Sequence, residues 1–234
     1  VIPFRLQQIM DMLLPYRSAV DIGTDHALLP CSLAQHPFWS GEKIIGTDLA
    51  WEPLEQGQEN INRRDLDKKI ELRQGWGFDP IGEGEVDQAI ISGLGGRKIA
   101  EIIKKSGRET KGIKHFFLQP HRDVFFIRKW LVLRGWAIVN EEIGKEKGNF
   151  YLAIRFDPAI EERQYFDWEL EIGPVLIAKK PPLLSDYLEE KVQEFNTILE
   201  KIRGRKPGHP QAELWERKIE LYKGVRQWLF LQKN

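Results

Sequence analysis

Short apolar runs alternate with amphipathic stretches over the first two thirds of the chain, and this rhythm predicts an α/β sheet of mostly parallel strands. Ile2, Leu6, Ile9, Met10, Leu13 and Leu14 recur at helical spacing until Pro15 stops them. Strands are then expected over 19–22, 43–48, 70–73, 87–92 and 115–119. Helices are expected over 27–35, 52–63, 97–106 and 125–134. Next, Trp136-Ala137-Ile138-Val139 and Phe150 to Phe156 follow one another without a helix between them, so they form a hairpin. One strand of that pair must run antiparallel in a sheet of seven. The pattern changes again beyond residue 157. Residues 161–177 are mixed, and Lys179-Lys180-Pro181-Pro182 cannot continue a helix. Leu184, Leu188, Val192, Phe195, Leu199 and Ile202 step by three or four, as do Leu214, Ile219, Leu221, Tyr222, Val225, Trp228 and Leu229 after a turn at 204–210. This predicts an antiparallel helical hairpin. The organisation expected is a sheet domain over 1–160 and a junction with a helical hairpin over 161–234.

The stretch from Val20 to Pro30 organises the sheet domain. An apolar strand runs into the turn Asp21-Ile22-Gly23-Thr24-Asp25-His26, and a helix start follows, which is how an α/β sheet builds a ligand crevice at its carboxyl edge. The next strand ends at Asp48, where nucleoside-binding sheets place an acid on a ribose diol. Seven strands with a closing hairpin outline a Rossmann-like class I methyltransferase rather than a dinucleotide oxidoreductase, whose G-x-G-x-x-G signature is missing here.

Composition narrows the partners. The 234 residues are 41% hydrophobic and 30% charged, enough to bury a core for one large domain and a smaller one. Thirty-five basic residues balance thirty-five acidic ones, so any nucleic-acid surface has to be a local patch. The single Cys31 excludes an intramolecular disulfide and a multi-cysteine zinc site, which fits a reducing cytoplasm, and no metal is expected. No apolar run approaches the roughly 20 residues of a membrane helix, so no membrane role is expected. Val1 leaves the native start open, and the oligomeric state is not encoded in any pattern.

Three motifs, Asp21-Ile22-Gly23-Thr24-Asp25-His26-Ala27-Leu28-Leu29-Pro30, Ile91-Ser92-Gly93-Leu94-Gly95-Gly96 and Leu118-Gln119-Pro120, closely resemble those of the TrmK-type tRNA (adenine-N1)-methyltransferases. Glu171-Ile172-Gly173-Pro174 extends the match into the second domain. The resemblance implies an S-adenosylmethionine-binding Rossmann-like domain, a coiled-coil-like helical domain, and methylation of adenine 22 in the D-arm of bacterial tRNA. Methylation of another RNA or a small molecule is the alternative, as is a non-catalytic RNA- or protein-binding module that keeps the fold.

The cofactor's amine, ribose diol and adenine ask for acids and for backbone that approaches closely. Asp21, Gly23 and Asp48 fit these demands, with Gly75, Trp76 and Gly93 completing the expected cofactor contacts. Asp21 and Asp48 also fit ordinary turn or cap acids. Adenine N1 already carries a lone pair, so the reaction needs alignment and stabilisation of developing positive charge more than a base. Asp25, His26 and the backbone at Gly93 are the catalytic candidates, against the plainer readings of a helix cap, a satisfied core histidine and a tight turn. Gln119 and Pro120 are expected at the target base. Arg97, Lys98, Lys104 and Lys105, with Arg108, Lys111 and Lys114 nearby, give a local excess of about five positive charges for tRNA phosphates or for a solvated helix face. A second basic group, Lys201, Arg203, Arg205, Lys206 and His209, sits at the hairpin turn. Two departures stand out: Trp76 lies between Gly75 and Gly77 where the resemblance leads to a small polar residue, and His121 stands where it leads to Asn.

Overall fold

The computed structural model describes all residues except 1, 16, 42, 107–111, 159–162, 206–208 and 232–234, and only the backbone of residue 205. The chain divides into two compact units, Val1–Gln164 and Tyr165–Asn234.

The first unit is a seven-stranded sheet in the order β3-β2-β1-β4-β5-β7-β6. Its strands are β1 (Ala19–Ile22), β2 (Ile44–Asp48), β3 (Ile70–Gln74), β4 (Gln88–Leu94), β5 (His115–Pro120), β6 (Ala137–Glu146) and β7 (Asn149–Asp157). All are parallel except β7, which runs antiparallel to both β5 and β6. Strand β1 lies between β2 and β4, and every one of its residues is buried, because a central strand covered on both faces has no solvated side. The order turns around between β1 and β4, which opens a crevice at the carboxyl ends of these strands.

Helices α1 (Phe4–Met10), α2 (Leu28–Ala34), α3 (Trp51–Asn62), α4 (Gly96–Lys105) and α5 (Val124–Val132) connect and cover the strands. Helix α1 is shorter than its apolar periodicity suggests. The Gln88 side chain takes both backbone groups of Leu14, accepting from its N–H at 2.8 Å and donating to its carbonyl at 2.9 Å, in place of helical partners. The closing hairpin is longer than expected. Its strands turn at Lys147-Gly148, both with positive φ, which matches the twist of a tight hairpin.

The second unit contains α6 (Asp167–Ile172), α7 (Pro174–Lys179), α8 (Pro182–Arg205) and α9 (Gln211–Arg226), ending in a π-helical turn over Gln227–Leu231. Pro182 opens α8, so the Lys180-Pro181 junction separates two helices as its prolines require. Helices α8 and α9 pair through Leu188, Phe195, Leu199, Ile219 and Tyr222, with the Phe195 ring 5.2 Å from Trp215 and 5.1 Å from Tyr222. Leu214 and Trp228 depart from the expected apolar stripe: both are about half exposed, because helical spacing names a face and not a depth.

Candidate functional site

The turn after β1 supplies the first wall of the crevice. Gly23 has φ +74°, which favours glycine, and a Cβ built on it would touch nothing within 4 Å. Its N–H and that of Thr24 both donate to the Thr47 carbonyl on β2, fixing the turn to the neighbouring strand. Asp21 is buried beneath it and accepts from Thr24 Oγ1 at 2.9 Å. Burial pushes its carboxyl up to about 7 against the pull of that hydrogen bond, and the charges of Asp48 and Asp25 push the same way as burial.

The turn then takes an unusual course. Asp25, His26 and Ala27 are three consecutive non-glycine residues with positive φ, a conformation that costs energy and is held from outside. Asn60 on α3 donates its side-chain amide to the His26 carbonyl at 3.0 Å. The Asp25 carboxylate is 73% exposed and lies 3.2 Å from His26 Nε2. Asp25 therefore faces outward at the edge of the crevice, and neither it nor His26 is a core residue; Asp25 also makes no side-chain hydrogen bond as a cap of α2.

Asp48 closes β2. Its Oδ1 accepts the Ala50 N–H at 3.0 Å, and its carbonyl accepts from Gly75 N. A carboxylate oxygen accepts more than one hydrogen bond, so the side chain stays available to a diol. Gly75 packs against the Pro80 ring, where a Cβ would stand 2.9 Å from the ring carbon. Trp76 turns toward α4: the Lys98 and Lys105 ammonium groups lie 4.0 and 4.5 Å from its ring centroid. Its indole N–H is buried and, among the described residues, has no hydrogen-bond partner. Both lysines also pair with Glu101, at 3.0 and 3.2 Å, so part of the positive charge read from the sequence is neutralised locally.

Strands β4 and β5 form the other wall. Gly93, φ +77°, bulges out of β4 between Ser92 and Leu94, so the strand runs two residues past its expected end. Gln119 is fully buried. Its amide nitrogen donates to the Arg5 carbonyl at 2.7 Å, and among the described residues its Oε1 has no partner. Pro120, also buried, pairs with Leu94. Arg97 is exposed, with its guanidinium 4.5 Å over the Phe126 ring and 3.6 Å from Asp123, and Lys104 is exposed on α4. Arg108, Lys111 and Lys206 lie outside the described residues, as does the side chain of Arg205.

The structure thus gathers Asp21, Gly23, Asp25, His26, Asp48, Gly75 and Gly93 at one edge of the sheet, and sets the α4 lysines against Trp76. His121, which the sequence reading did not place at the site, stands beside Gly93, with the Tyr151 ring against it. The chemical signal for His121 was its position directly after Gln119-Pro120; nothing in the pattern signalled Tyr151. Among the described residues no helix is long and apolar enough to cross a membrane, and no group of three or more His, Cys, Asp or Glu side chains could hold a metal ion.

The fold recurs in known proteins. A Bacillus subtilis protein named tRNA (adenine(22)-N(1))-methyltransferase is 28% identical over 202 residues, covering 85% of this chain and 84% of that protein. A Streptococcus agalactiae structure, described as a protein of the NADB-Rossmann superfamily, superposes with a TM-score of 0.87 at 26% identity, covering 97% of each chain. The structure of Mycoplasma capricolum TrmK with S-adenosylhomocysteine has the same fold, with a TM-score of 0.84 at 24% identity over 97% of this chain and 99% of that one. Residues 19–227 match the TrmK family model, tRNA (adenine(22)-N(1))-methyltransferase, and the chain belongs to that family.

Proposed function

We propose that the protein transfers a methyl group from S-adenosylmethionine to N1 of adenine 22 in tRNA, with the crevice at the carboxyl edge of β1, β2 and β4 as its active site. The observation that carries this assignment is the open, positive-φ turn at Gly23, flanked by Asp21 beneath it and Asp48 on the next strand. The bare Gly23 Cα leaves room for a nucleoside's close approach, the Asp48 carboxylate suits a ribose diol, and Asp21 suits an ammonium group. The residues present fit the cofactor.

Bound in this crevice, with Asp21, Gly23 and Asp48 holding it, S-adenosylmethionine would supply an electrophilic methyl group to the lone pair of adenine N1. Adenine N1 needs no deprotonation, so no residue has to act as a strong base. What the chain supplies is alignment and electrostatics. The Asp25 carboxylate, outward-facing and held in a strained turn, places negative charge where the methylated base becomes cationic. His26 restrains it through their 3.2 Å contact. The backbone of the Gly93 bulge lines the base without a side chain in the way. Adenine N1 lies on the Watson-Crick edge, so the nucleotide has to be extruded or caught unpaired, and the α4 lysines hold the surrounding phosphates.

The test is incubation with labelled S-adenosylmethionine and unmodified bacterial tRNA, followed by nucleoside mass spectrometry that separates N1- from N6-methyladenosine. The expected product is N1-methyladenosine at position 22 of the D-arm. Cofactor binding without transfer to any tRNA overturns the assignment of the acceptor.

A further inference from the structure

Beside the Gly93 bulge stands a group with no assigned role. The His121 N–H donates to the Leu94 carbonyl at 3.0 Å, which extends the β4–β5 pairing past Pro120 and fixes where the ring emerges. A Cβ built on Gly93 would meet only His121 Nε2, at 4.0 Å, so this ring nitrogen faces the bare Cα of the turn proposed to line the target base. The Tyr151 ring holds it from the side, edge to face, with centroids 6.0 Å apart. Among the described residues no hydrogen bond engages the imidazole. Burial, and then the charge of Arg5, lower its pKa from the ordinary histidine value, so the ring is neutral at physiological pH and one of its nitrogens is an acceptor.

Gln119, on β5 two residues before His121, is fully buried, and the Arg5 carbonyl fixes its amide so that among the described residues its Oε1 has no donor. In the tautomer protonated at Nδ1, the neutral His121 ring presents Nε2 as an acceptor, which suits a base that presents a donor. Adenine offers its exocyclic amine, whereas guanine offers a carbonyl oxygen.

We infer that His121 determines specificity for adenine: its Nε2 accepts a hydrogen from the N6 amine of the target base while that base lies over Gly93. This rests on the activity proposed above and adds the residue that reads the base. Methylation at N1 spreads positive charge onto N6, so the hydrogen bond strengthens as the reaction proceeds and accelerates transfer as well as selecting the base. Asn, the residue the family resemblance leads to here, presents a carbonyl acceptor that serves the same purpose.

The test is a functional-group cycle. The parent, His121→Ala and His121→Asn are compared in single-turnover methylation of tRNA carrying either adenosine or purine riboside, which lacks the amine, at position 22. Affinity for both tRNAs is measured in parallel with S-adenosylhomocysteine present. His121→Ala should slow transfer to adenosine about ten- to hundredfold, the size of one lost hydrogen bond to a charged group. The same variant should match the parent on purine riboside within about threefold, and the parent's preference for binding the adenosine tRNA should vanish. His121→Asn should recover most of the rate. Equal losses on both acceptors, or no loss on either, overturn the assignment of His121. A parent that makes no N1-methyladenosine at all overturns the activity on which it rests.

Discussion

Thr24 Oγ1 donates to Asp21 Oδ2 at 2.9 Å inside the turn that ends β1, and among the described residues it is the one hydrogen bond to a carboxyl group that the fold otherwise strips of water. Because burial lifts that carboxyl to about 7, the folded chain holds a proton that the unfolded chain releases at ordinary carboxylate pH. Stability on this account is undiminished below about pH 4, falls as pH rises toward 7, and is level above. Asp21→Asn should therefore raise the melting temperature relative to the parent by a margin that widens by about 10 °C between about pH 4.5 and about pH 8. Parallel melting curves across that range would remove Asp21 from the pH response. Binding of the cofactor's ammonium group should expel the proton, visible near neutrality as a calorimetric enthalpy that changes with the buffer.

Asp48→Ala removes the proposed acceptor for the ribose diol. Calorimetry should show cofactor affinity weakened about ten- to hundredfold, with the melting temperature little changed, since only the Ala50 N–H loses its partner and that group is exposed. An unchanged affinity would reduce Asp48 to a turn acid.

Asp25→Ala separates charge stabilisation from binding. The single-turnover rate should drop about tenfold while cofactor affinity stays within about threefold. A parent-like rate would leave Asp25 with no part beyond its turn.

Helix α4 offers a test of RNA contact. Reversing Lys98, Lys104 and Lys105 together to Glu should weaken tRNA binding and flatten its dependence on salt by about two to three units of the logarithmic slope. Trp76→Ala, which frees the two ammonium groups seated on its ring, should weaken binding only severalfold, since each such contact is worth about 0.5–1 kcal/mol. An unaltered slope in the triple variant would move the RNA to another face.

Much of the sheet was legible because its central strands are built on short apolar runs, with their acids at or near the carboxyl ends. Residues 19–22 and 44–48 sit between neighbours and are covered on both faces, so their sequence signal and their structure coincide. Strand β6 was read as four residues because charged side chains follow Val139. One of these, Glu141, is fully buried and joined to the equally buried Arg128 of α5 at 2.7 Å. A paired charge looks like a surface residue in one dimension, and only the fold reveals that two such residues meet. The turn at 21–27 was recognised from its acids and glycine, yet the left-handed course of Asp25, His26 and Ala27 was not, since none of these residue types announces it. Similarly, nothing local told that the Gln119 amide is tied to Arg5, more than a hundred residues earlier.

Ala27 carries a consequence for how the family can drift. Its backbone is left-handed, which favours glycine, yet its methyl lies 3.1 Å from where a Cβ on Gly57 would stand, with a Leu72 methyl equally close. Positions 27 and 57 therefore share room for about one methyl group between them. A lineage that acquires alanine at 57 is expected to carry glycine at 27, so the two columns should exchange substitutions in tandem even though neither residue touches a reacting atom.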